Sequence, residues 1–373
     1  MKFKSSRAHF ANGLTQVLSI VGHKSTMPIL SNVLIEAADG FVTFSTTNLD
    51  VGVRCKISAE VARAGAVTLP VRRLSSIVRE LPGADVEFDS SRAARVKISS
   101  GCSVFNVMGI DKDEFPPLPT VAKSKTFQLS QDDLAELLKS VAFAQSSDET
   151  RYILNAVYFK VAPNNVTVVA TDGRRLATNS KSVVVENSAH GSFLLPAKTV
   201  GEVLRLLGMG VNVSVHFDDR KASFVFDTEK DNSGLKEGVY LYSKVVEGTY
   251  PNYSQVIPQH HDNVILEREL LLDAVRRGSL VTSEKSNSVA LKISENQLEI
   301  TARGPDVGES QETIAINYSG PGVDLAFNPS FLIEALSAIP HDNVKFEFSN
   351  SVSPGVIKTN GSFVCVIMPV RLN

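Results

Sequence analysis

The sequence predicts an α+β protein in which three tandem copies of one unit each pack two helices against antiparallel sheet. Two observations lead to this prediction. Pairs of amphipathic helices recur along the chain, and segments of alternating apolar and polar residues follow them. Internal repeats of this kind decide the whole fold assignment. Proline-bearing connectors divide the 373 residues into copies at 1–125, 126–258 and 259–373.

One helix of each copy carries the clearest repeat. It follows a proline-bearing step and presents apolar residues at i, i+3, i+4 and i+7, which form one helical face. These faces are Leu74, Ile77, Val78 and Leu81; Val200, Val203, Leu204 and Leu207; and Leu332, Ala335, Leu336 and Ile339. Another amphipathic helix precedes each of them. Its apolar residues are Phe10, Leu14, Val17 and Leu18; Leu134, Leu137, Leu138 and Val141; and Leu270, Leu271, Ala274 and Val275.

A helix cap and several strands complete each predicted copy. Ser130 and Asp133 predict an N-terminal cap for the first helix of copy two. Short apolar segments around a turn predict paired strands at Val33–Ile35 with Phe41–Phe44, Val157–Phe159 with Val166–Val169, and Val289–Ile293 with Leu298–Thr301. Alternating residues predict further strands from Val86, Val213 and Val344, and closing strands at Val104–Met108, Val239–Tyr242 and Phe363–Ile367.

Sheet edges at both ends of such a chain predict head-to-tail association, because exposed edges invite pairing and heterologous contacts can close into a ring. A helix is about 10 Å wide, so the helices of one chain would line a circle only about 20 Å across. Two chains would line a circle of roughly 40 Å, which leaves about 30 Å after the helix radii are subtracted. That opening fits hydrated duplex DNA if the helices face inward.

The composition excludes several classes of protein. The net charge of −2 demands neither a nucleic acid nor a membrane as a partner. Cys55, Cys102 and Cys365 lie far apart, so they are expected to be small core residues of a reducing compartment rather than disulfide or metal ligands. Residues 1–10 lack the apolar run of a signal peptide, and no segment is long enough to span a membrane. A soluble, cytoplasmic protein is expected.

Four motifs carry a resemblance to a known family. Asp148–Asn155, Ala170–Ala177, Gly248–Tyr253 and Met368–Leu372 together resemble the bacterial DNA polymerase III β subunit, the sliding clamp, and the resemblance covers the whole chain. It implies that each copy is a DNA-clamp domain and that two chains form a head-to-tail ring around duplex DNA. It also implies that this ring tethers the DNA polymerase III alpha subunit, other polymerases and repair proteins. A clamp-loader complex would open the ring, which would need no catalytic site, cofactor or metal.

The resemblance also implies a pocket for partner peptides. Only copy two has the segment Thr171–Leu176, which Asp172-Gly173 alone would predict to be a shaped loop. The residues carried over from the family are Leu154, Thr171, Gly173, Arg174, Arg175, Leu176, Pro251, Val256, Val366, Met368, Pro369, Val370, Arg371 and Leu372. Leu and Met suit an apolar anchor, Arg suits polar or terminal groups, and the apolar tail is expected to be docked. Arg174 stands where the family often has His.

For the residues predicted to face DNA or a second chain, the sequence leaves an alternative role open. Basic residues on the polar helix faces are Arg72, Arg73, Arg79, Lys198, Arg205, Arg276 and Arg277, and the family resemblance adds Lys24. Each of them fits an ordinary solvated face equally well. The dimer edge is predicted to involve Phe105 and Val107 on one chain and Leu280 and Val281 on the other, with a plain core role as the alternative.

Two other functions are alternatives to a sliding clamp, an enzyme and a protein-binding repeat scaffold. An enzyme would need a site, but Gly22–Ser25 lacks the upstream glycine of a phosphate loop, and His260-His261-Asp262 lies in a polar connector where solvent exposure is favoured over metal binding. A repeat scaffold that binds proteins but not DNA shares the fold and explains the acidic total. Retention on circular DNA, compared with linear DNA, separates this scaffold from a clamp.

Overall fold

The computed structural model forms two compact units. One consists of Met1–Ala135 and Val183–Val245, and the other of Glu136–Ser182 and Val246–Asn373. The described residues are 1–22, 27–92, 95–119, 125–185, 189–228, 234–259, 262–283 and 287–371. The second predicted copy contributes to both units, so the compact units differ from the sequence repeats.

Six α-helices and twenty-five strands are formed by the described residues. Copy one contains β1 (Lys2–Ser6), α1 (Arg7–Leu18), β2 (Asn32–Ala38), β3 (Phe41–Thr47), β4 (Val51–Ser58), β5 (Glu60–Arg63), β6 (Gly65–Pro70), α2 (Val71–Glu80), β7 (Asp85–Arg92), β8 (Arg95–Ser100) and β9 (Ser103–Met108). Copy two contains β10 (Lys125–Ser130), α3 (Gln131–Ala142), β11 (Ala156–Ala162), β12 (Asn165–Thr171), β13 (Arg175–Ser182), β14 (Gly191–Pro196), α4 (Ala197–Leu206), β15 (Asn212–Phe217), β16 (Lys221–Phe226) and β17 (Leu235–Lys244). Copy three contains β18 (Asp262–Glu267), α5 (Arg268–Ser279), β19 (Val289–Ser294), β20 (Gln297–Gly304), β21 (Gly308–Ala315), β22 (Val323–Phe327), α6 (Pro329–Ser337), β23 (Asn343–Phe348), β24 (Gly355–Lys358) and β25 (Val364–Ile367).

Two antiparallel sheets build the first unit. One has the order β5-β1-β7-β8-β9, and the other has the order β10-β15-β16-β17-β4-β3-β2-β6. In the larger sheet, the last strand of copy two, β17, pairs with β4 of copy one, with Tyr242 opposite Gly52. We call this pairing the first seam. It makes one continuous sheet from strands of two copies.

An aromatic cluster fills the core of the first unit beneath α1. Phe10 lies on this helix and is fully buried, as are Phe3, Phe44 and Phe88 from the strands around it. The Phe10 ring centroid lies 4.9 Å from those of Phe44 and Phe88 and 6.1 Å from that of Phe3. Large rings at these separations gain both apolar burial and favourable edge and offset contacts. The helix is therefore fixed on the sheets by packing, since Ser6 provides no side-chain cap.

The second unit repeats this arrangement. Seven of its strands lie in the order β11-β12-β13-β25-β24-β23-β18, and four others in the order β21-β20-β19-β22. The last strand of copy three, β25, pairs with β13 of copy two, with Val366 opposite Leu176. We call this pairing the second seam. Helices α5 and α6 pack against each other, and α5 also contacts β20 and β21.

The predicted helices are all present, and their buried faces mostly match the predicted ones. In α5 the prediction was wrong by one position, because Leu270 is 51% exposed whereas Leu272 is buried. Leu270 with Ala274 and Leu271 with Val275 are equally good i, i+4 pairs, so spacing alone does not decide which leucine is buried. In α4 the buried face continues through Leu206, and the predicted Leu204 and Leu207 are only half-buried. Among the described residues, no helix is long and apolar enough to cross a membrane.

The predicted helix cap of copy two is confirmed. The Ser130 hydroxyl accepts a hydrogen bond from the Asp133 backbone N–H at 2.9 Å and donates one to its carboxylate at 2.6 Å. The cap satisfies an N–H group that the first turn of α3 would otherwise leave without a partner. All the predicted strands are also present, mostly with longer bounds, whereas the strand predicted at Phe363–Ile367 begins one residue later, at Val364. About half of the strands were not predicted: β1, β4, β5, β6, β8, β10, β13, β14, β16, β18, β21, β22 and β24.

The prediction that all three cysteines lie in the core was wrong for Cys102. Cys55 and Cys365 are buried, but Cys102 is exposed in the turn between β8 and β9, and all three thiols are free. A tight hairpin turn has no interior in which to bury a side chain. Ser100-Gly101, directly before Cys102, is a turn signal that the spacing of the cysteines does not take into account. Burial raises the pKa of the Cys55 and Cys365 thiols to about 12.

Thiol reactivity at pH 8 is expected to separate these cysteines, because the thiolate is the reactive form and access is also required. Reaction of the folded protein with a chromogenic disulfide should modify one thiol per chain, and all three after denaturation. Cys102→Ser should remove the fast reaction. Rapid modification of two or more thiols in the folded protein would contradict the assignment.

Candidate functional site

The segment Thr171–Leu176 forms a turn that is held by its own side chains. The Asp172 carboxylate accepts hydrogen bonds from the backbone N–H groups of Arg174 at 2.8 Å and Arg175 at 3.0 Å. The Thr171 hydroxyl donates to the Arg175 carbonyl at 2.6 Å and accepts from the Gly173 N–H at 3.1 Å. Gly173 has a φ of +88°, in the left-handed region that favours glycine. The turn that joins β12 to β13 is therefore locally fixed.

Arg175 is an internal structural residue despite its charge, with only 8% of its side chain exposed. Its Nε lies 3.2 Å from the Asp172 carboxylate, its Nη1 lies 2.9 Å from the Glu334 carboxylate, and its Nη2 donates to the Phe143 carbonyl at 2.6 Å. The guanidinium also lies over the rings of Phe143 and Phe331, at 5.3 and 4.5 Å from their centroids. Two carboxylates thus compensate its charge inside the protein.

A second loop packs against this turn. Arg151 donates from Nη1 to the Asp172 carbonyl at 2.9 Å. A Cβ atom placed on Gly173 would lie 3.0 Å from Arg151 Nη2, so the glycine also permits this close approach. The loop is fixed at its base, where the Ser146 N–H donates to the Leu154 carbonyl at 3.0 Å. The motif Asp148–Asn155 is therefore a shaped loop, and the guanidinium of its Arg151 contacts the neighbouring turn Thr171–Leu176.

The C-terminal segment is docked along the same turn, as expected. Beyond β25, the Met368 N–H donates to the Arg174 carbonyl at 2.9 Å, and the Val370 N–H donates to the Ala326 carbonyl at 2.8 Å. The Met368 side chain is 42% exposed. An apolar side chain held at the surface by backbone hydrogen bonds is available to a ligand. Leu372 lies outside the described residues.

These segments surround one cavity of about 280 Å³ in the second unit. It is lined by Arg151, Leu154, Thr171, Gly173, Arg174, Arg175, Leu176, Pro251, Tyr253, Val256, Val366 and Met368. The structure thus brings together ten of the fourteen residues proposed for the pocket. Pro369, Val370 and Arg371 are not part of this lining. Arg151 and Tyr253 line it without having been predicted, although both lie in motifs that carried the family resemblance.

Stacked tyrosines support the wall that Pro251, Tyr253 and Val256 contribute. The rings of Tyr158 and Tyr250 are stacked with centroids 5.0 Å apart, and the Tyr253 ring lies 6.2 Å from that of Tyr158. Burial, followed by the neighbouring Tyr158, raises the pKa of the Tyr253 hydroxyl, so the residue is neutral at physiological pH. The wall is therefore aromatic and uncharged.

The chemistry of the cavity suits the binding of an apolar group. Among the described residues its lining has no Asp, Glu, His or Cys, and six of its side chains are aliphatic, proline or methionine. Across the described residues, no group of three or more His, Cys, Asp or Glu side chains could hold a metal ion. His260 and His261 lie outside those residues. A concave apolar surface with a few polar groups on its rim is typical of a site for a small ligand or a peptide.

The basic residues predicted to face DNA have different local environments. Arg205 lies 2.9 Å from the Glu202 carboxylate and donates to the Gln16 carbonyl at 2.7 Å, and Arg72 donates to the Val21 carbonyl at 2.6 Å. The Arg277 guanidinium donates to both carboxylate oxygens of Glu312, at 2.9 and 2.8 Å. Arg276 lies 3.5 Å from the Asp273 carboxylate. These four side chains have internal partners that compete with a phosphate group.

Two of the remaining basic residues, Arg73 and Arg79, are more available. Arg73 and Arg79 are exposed on α2 and form no ion pair within the described part of the chain. Lys198 is exposed at the start of α4. Lys24 lies outside the described residues. The DNA-facing assignments remain predictions, and α2 is the helix on which the geometry favours them most.

The residues predicted at the dimer edge lie on or near two free sheet edges. Strand β9 is the last strand of its sheet, and Phe105 on it is 40% exposed, whereas Val107 is buried. Strand β21 is the last strand of another sheet. Near it, Leu280 is 77% exposed and Val281 is half-buried after the end of α5. The interface assignment remains a prediction, with Val107 serving the core of its own unit.

Arg174 and Arg175 are adjacent but are expected to differ in their effect on stability. Arg175→Met should leave two carboxylates without their cation and lower the free energy of unfolding by about 3 kcal/mol. Arg174→Met should change it by less than about 0.5 kcal/mol, because surface substitutions away from such networks have small effects. Urea unfolding combined with hydrogen exchange of the β12 and β13 amides would measure both. Equal protection in the two variants would contradict the internal role of Arg175.

Comparison with known proteins gives the family of the chain. Residues 1–119, 128–252 and 254–371 match the models of the N-terminal, central and C-terminal domains of the DNA polymerase III beta subunit. The beta sliding clamp of Chlamydia muridarum is 33% identical over 374 residues, which cover 100% of both chains. The structure is similar to the DNA polymerase sliding clamp of Bacillus subtilis, with a TM-score of 0.94, 27% identity and 100% coverage of both chains. It is also similar to the Bartonella birtlesii sliding clamp bound to griselimycin, with a TM-score of 0.91, 32% identity and the same coverage. The chain belongs to the bacterial DNA polymerase III beta subunit family, the beta sliding clamps.

Proposed function

We propose that this protein is a DNA polymerase processivity factor, a head-to-tail homodimeric ring that encircles duplex DNA and slides along it. The ring tethers the replicative polymerase and other replication and repair proteins through the cavity at the second seam. The observation that carries the proposal is the combination of a whole-chain match to the beta sliding clamps with a rigid apolar cavity at the position where partner peptides are expected. The protein needs no catalytic group of its own for this role.

The two seams support head-to-tail closure. At each of them, the last strand of one copy pairs with a strand of the preceding copy: β17 with β4, which follows the β2–β3 hairpin, and β25 with β13, which follows the β11–β12 hairpin. The same rule leaves β9 as the last strand of copy one and β21 as the corresponding strand of copy three. Both are sheet edges within the chain. Pairing β9 with the β21 strand of a second chain, and the reverse, would satisfy both edges and close a ring of six copies.

Contacts with DNA in such a ring are expected to be weak and independent of sequence. The chain carries a net charge of −2, so its attraction to phosphates must be local. Arg73 and Arg79 offer exposed cations on one helix, and other basic residues are partly neutralised by internal carboxylates. Phosphate contacts position a protein on the duplex without reading its sequence, and strong ones would hinder sliding.

The proposed partners follow from the same model. Besides duplex DNA, they are the DNA polymerase III alpha subunit, the clamp-loader complex that opens the ring, and other polymerases and repair proteins that carry clamp-binding peptides. The proposed location of the protein itself is the cytoplasm. An extended peptide with an apolar anchor would place this anchor among Leu154, Leu176 and Val366, with the arginines at the rim left for its polar groups.

Topological retention on DNA is expected to distinguish the clamp from a protein-binding scaffold. After loading by the clamp-loader complex with ATP, the protein should stay on closed circular DNA through gel filtration and be lost from linear DNA of equal length. Cutting the circle once should release it, because a ring is held by topology rather than affinity. Equal loss from circular and linear DNA would exclude the clamp and leave the scaffold.

Removal of Met368–Asn373 is expected to abolish binding of polymerase-derived peptides. The truncation removes Met368 from the cavity lining together with its hydrogen bond to the Arg174 carbonyl. Fluorescence anisotropy would measure binding, and sedimentation should still show a dimer, because β9 and β21 are untouched. Val184→Ala provides a control, since Val184 is exposed and lies outside the cavity lining. Undiminished peptide affinity of the truncated protein would show that the pocket is assigned wrongly.

A further inference from the structure

The turn Thr47–Gly52 at the first seam is a counterpart of the turn Thr171–Leu176 at the second. The Asn48 side chain accepts hydrogen bonds from the N–H groups of Asp50 at 3.1 Å and Val51 at 2.8 Å, in the manner of the aspartate in the other turn. Both turns begin with a threonine whose hydroxyl donates to the backbone carbonyl four residues further on. The two turns therefore correspond position by position.

The strand pairing at the two seams gives the same correspondence. Gly52 lies opposite Tyr242 at the first seam, and Leu176 lies opposite Val366 at the second. Leu176 and Val366 both line the cavity, so these two positions form its floor. At the first seam, one floor position has no side chain and the other carries the ring of Tyr242, which is only 9% exposed. Because directly opposite residues place their side chains on the same face of the sheet, this ring lies beside the space above Gly52.

A leucine from the connector between copies one and two lies directly on Gly52. The Cδ2 atom of Leu118 is 2.5 Å from the ideal Cβ position of Gly52, so any side chain at this position would displace it. Gly52 is buried and its φ is not positive, so the missing side chain provides space and is not demanded by the backbone conformation. A glycine inside a strand weakens the strand and is typical of a place where another group approaches closely. Here the approaching group is Leu118.

The two connectors are built alike before they reach the seams. Phe115 and Tyr250 are each followed by a proline and are both buried. Phe115 packs against Leu34, the third residue of β2, and Tyr250 stacks on Tyr158, the third residue of β11, with centroids 5.0 Å apart. Three residues after its aromatic ring, the second connector contributes to the wall of an open cavity, whereas the first connector places Leu118 on the strand. The seams therefore share one framework, which is open at one seam and covered at the other.

We propose that the first seam is a second binding site for extended peptides with an apolar anchor, and that the chain's own connector holds this site closed through Leu118. The inference rests on the proposed function, because it extends the binding of partner peptides from the second seam to the first. The connector, an apolar segment with three prolines in Phe115–Pro119, resembles such a peptide in its chemistry. As part of the same chain, it occupies the seam at a high effective concentration and excludes a free peptide. Each chain then offers one open site instead of two.

Shortening Leu118 is expected to open the closed site. Leu118→Ala removes the side chain above Gly52 and leaves Phe115, which anchors the connector in an apolar cluster of its own. Isothermal titration calorimetry of the full-length dimer with a polymerase-derived peptide would give the number of peptides bound per chain. Wild type should bind one peptide per chain and Leu118→Ala two, because an apolar space of this kind accepts an apolar group. Leu270→Ala, the same change at a leucine that is 51% exposed on α5, is the matched control and should bind one.

Two further variants assign the sites. Met368→Ala, added to Leu118→Ala, should weaken only one of the two sites, because Met368 lines the cavity at the second seam. Tyr242→Val, added to Leu118→Ala, gives the first seam the residue that stands at the corresponding floor position of the second, and it should strengthen the other site.

The contact between the connector and the strand can be measured without any peptide. Gly52→Ala should lower the urea midpoint of unfolding in wild type, because the new methyl group meets Leu118. In the Leu118→Ala background, the same substitution should lower the midpoint much less, since changes at two residues in contact are not additive. Equal shifts in the two backgrounds would show that Leu118 does not cover Gly52, and the inference would then be wrong.

The outcomes separate this inference from the proposed function. One peptide per chain in both Leu118→Ala and the double variant with Tyr242→Val would overturn the second site. Two peptides per chain in wild type would overturn its closure by the connector. In either case, a site of wild type that is weakened by Met368→Ala leaves the proposed function standing. Failure of wild type to bind any polymerase-derived peptide would instead count against the proposed function.

Discussion

Backbone pairing between strands of neighbouring copies is the interaction on which the rest of the structure depends. Copies two and three each end in a strand whose free N–H and C=O groups require partners, and the preceding copy supplies them through β4 or β13. A sheet edge left unpaired costs hydrogen bonds and invites unwanted association. The seams therefore determine how the copies follow one another, which edges stay free, and where surface loops from different copies meet.

The cavity is a product of the second seam. The turn Thr171–Leu176 is rigid by itself, but it becomes a wall of a pocket only because β25 brings Met368 to the Arg174 carbonyl. Two further segments, around Arg151 and Tyr253, complete the lining. At the first seam, Leu118 from the connector between copies one and two occupies the space that a side chain on Gly52 would need. Its side chain lies 2.5 Å from the ideal Cβ position of Gly52. The same backbone framework thus carries a ligand cavity at one seam and an internal contact at the other.

The helices and about half of the strands could be predicted from the sequence because their apolar spacing is regular. The other strands, β4, β13 and β21 among them, could not. Arg175–Ser182, for example, has little alternation, because it lies inside a continuous sheet and buries five consecutive residues. The position of Leu270 was ambiguous because two adjacent leucines begin equally good helical faces. The cavity residues came from motifs, which identify a segment but not the orientation of each side chain. For this reason Arg175 was expected at the pocket, and its ion pairs with Asp172 and Glu334 were not foreseen.

The sharing of copy two between both compact units has a consequence for dissecting the protein into fragments. A fragment cut at the repeat boundaries would separate β17 from β4 and β13 from β25, and it would expose two long strand edges to water. Such edges favour aggregation or strand exchange between molecules. The smallest piece that keeps a seam intact contains two adjacent copies. The independent folding element of this chain is therefore defined by its hydrogen-bonded junctions rather than by the period of its sequence.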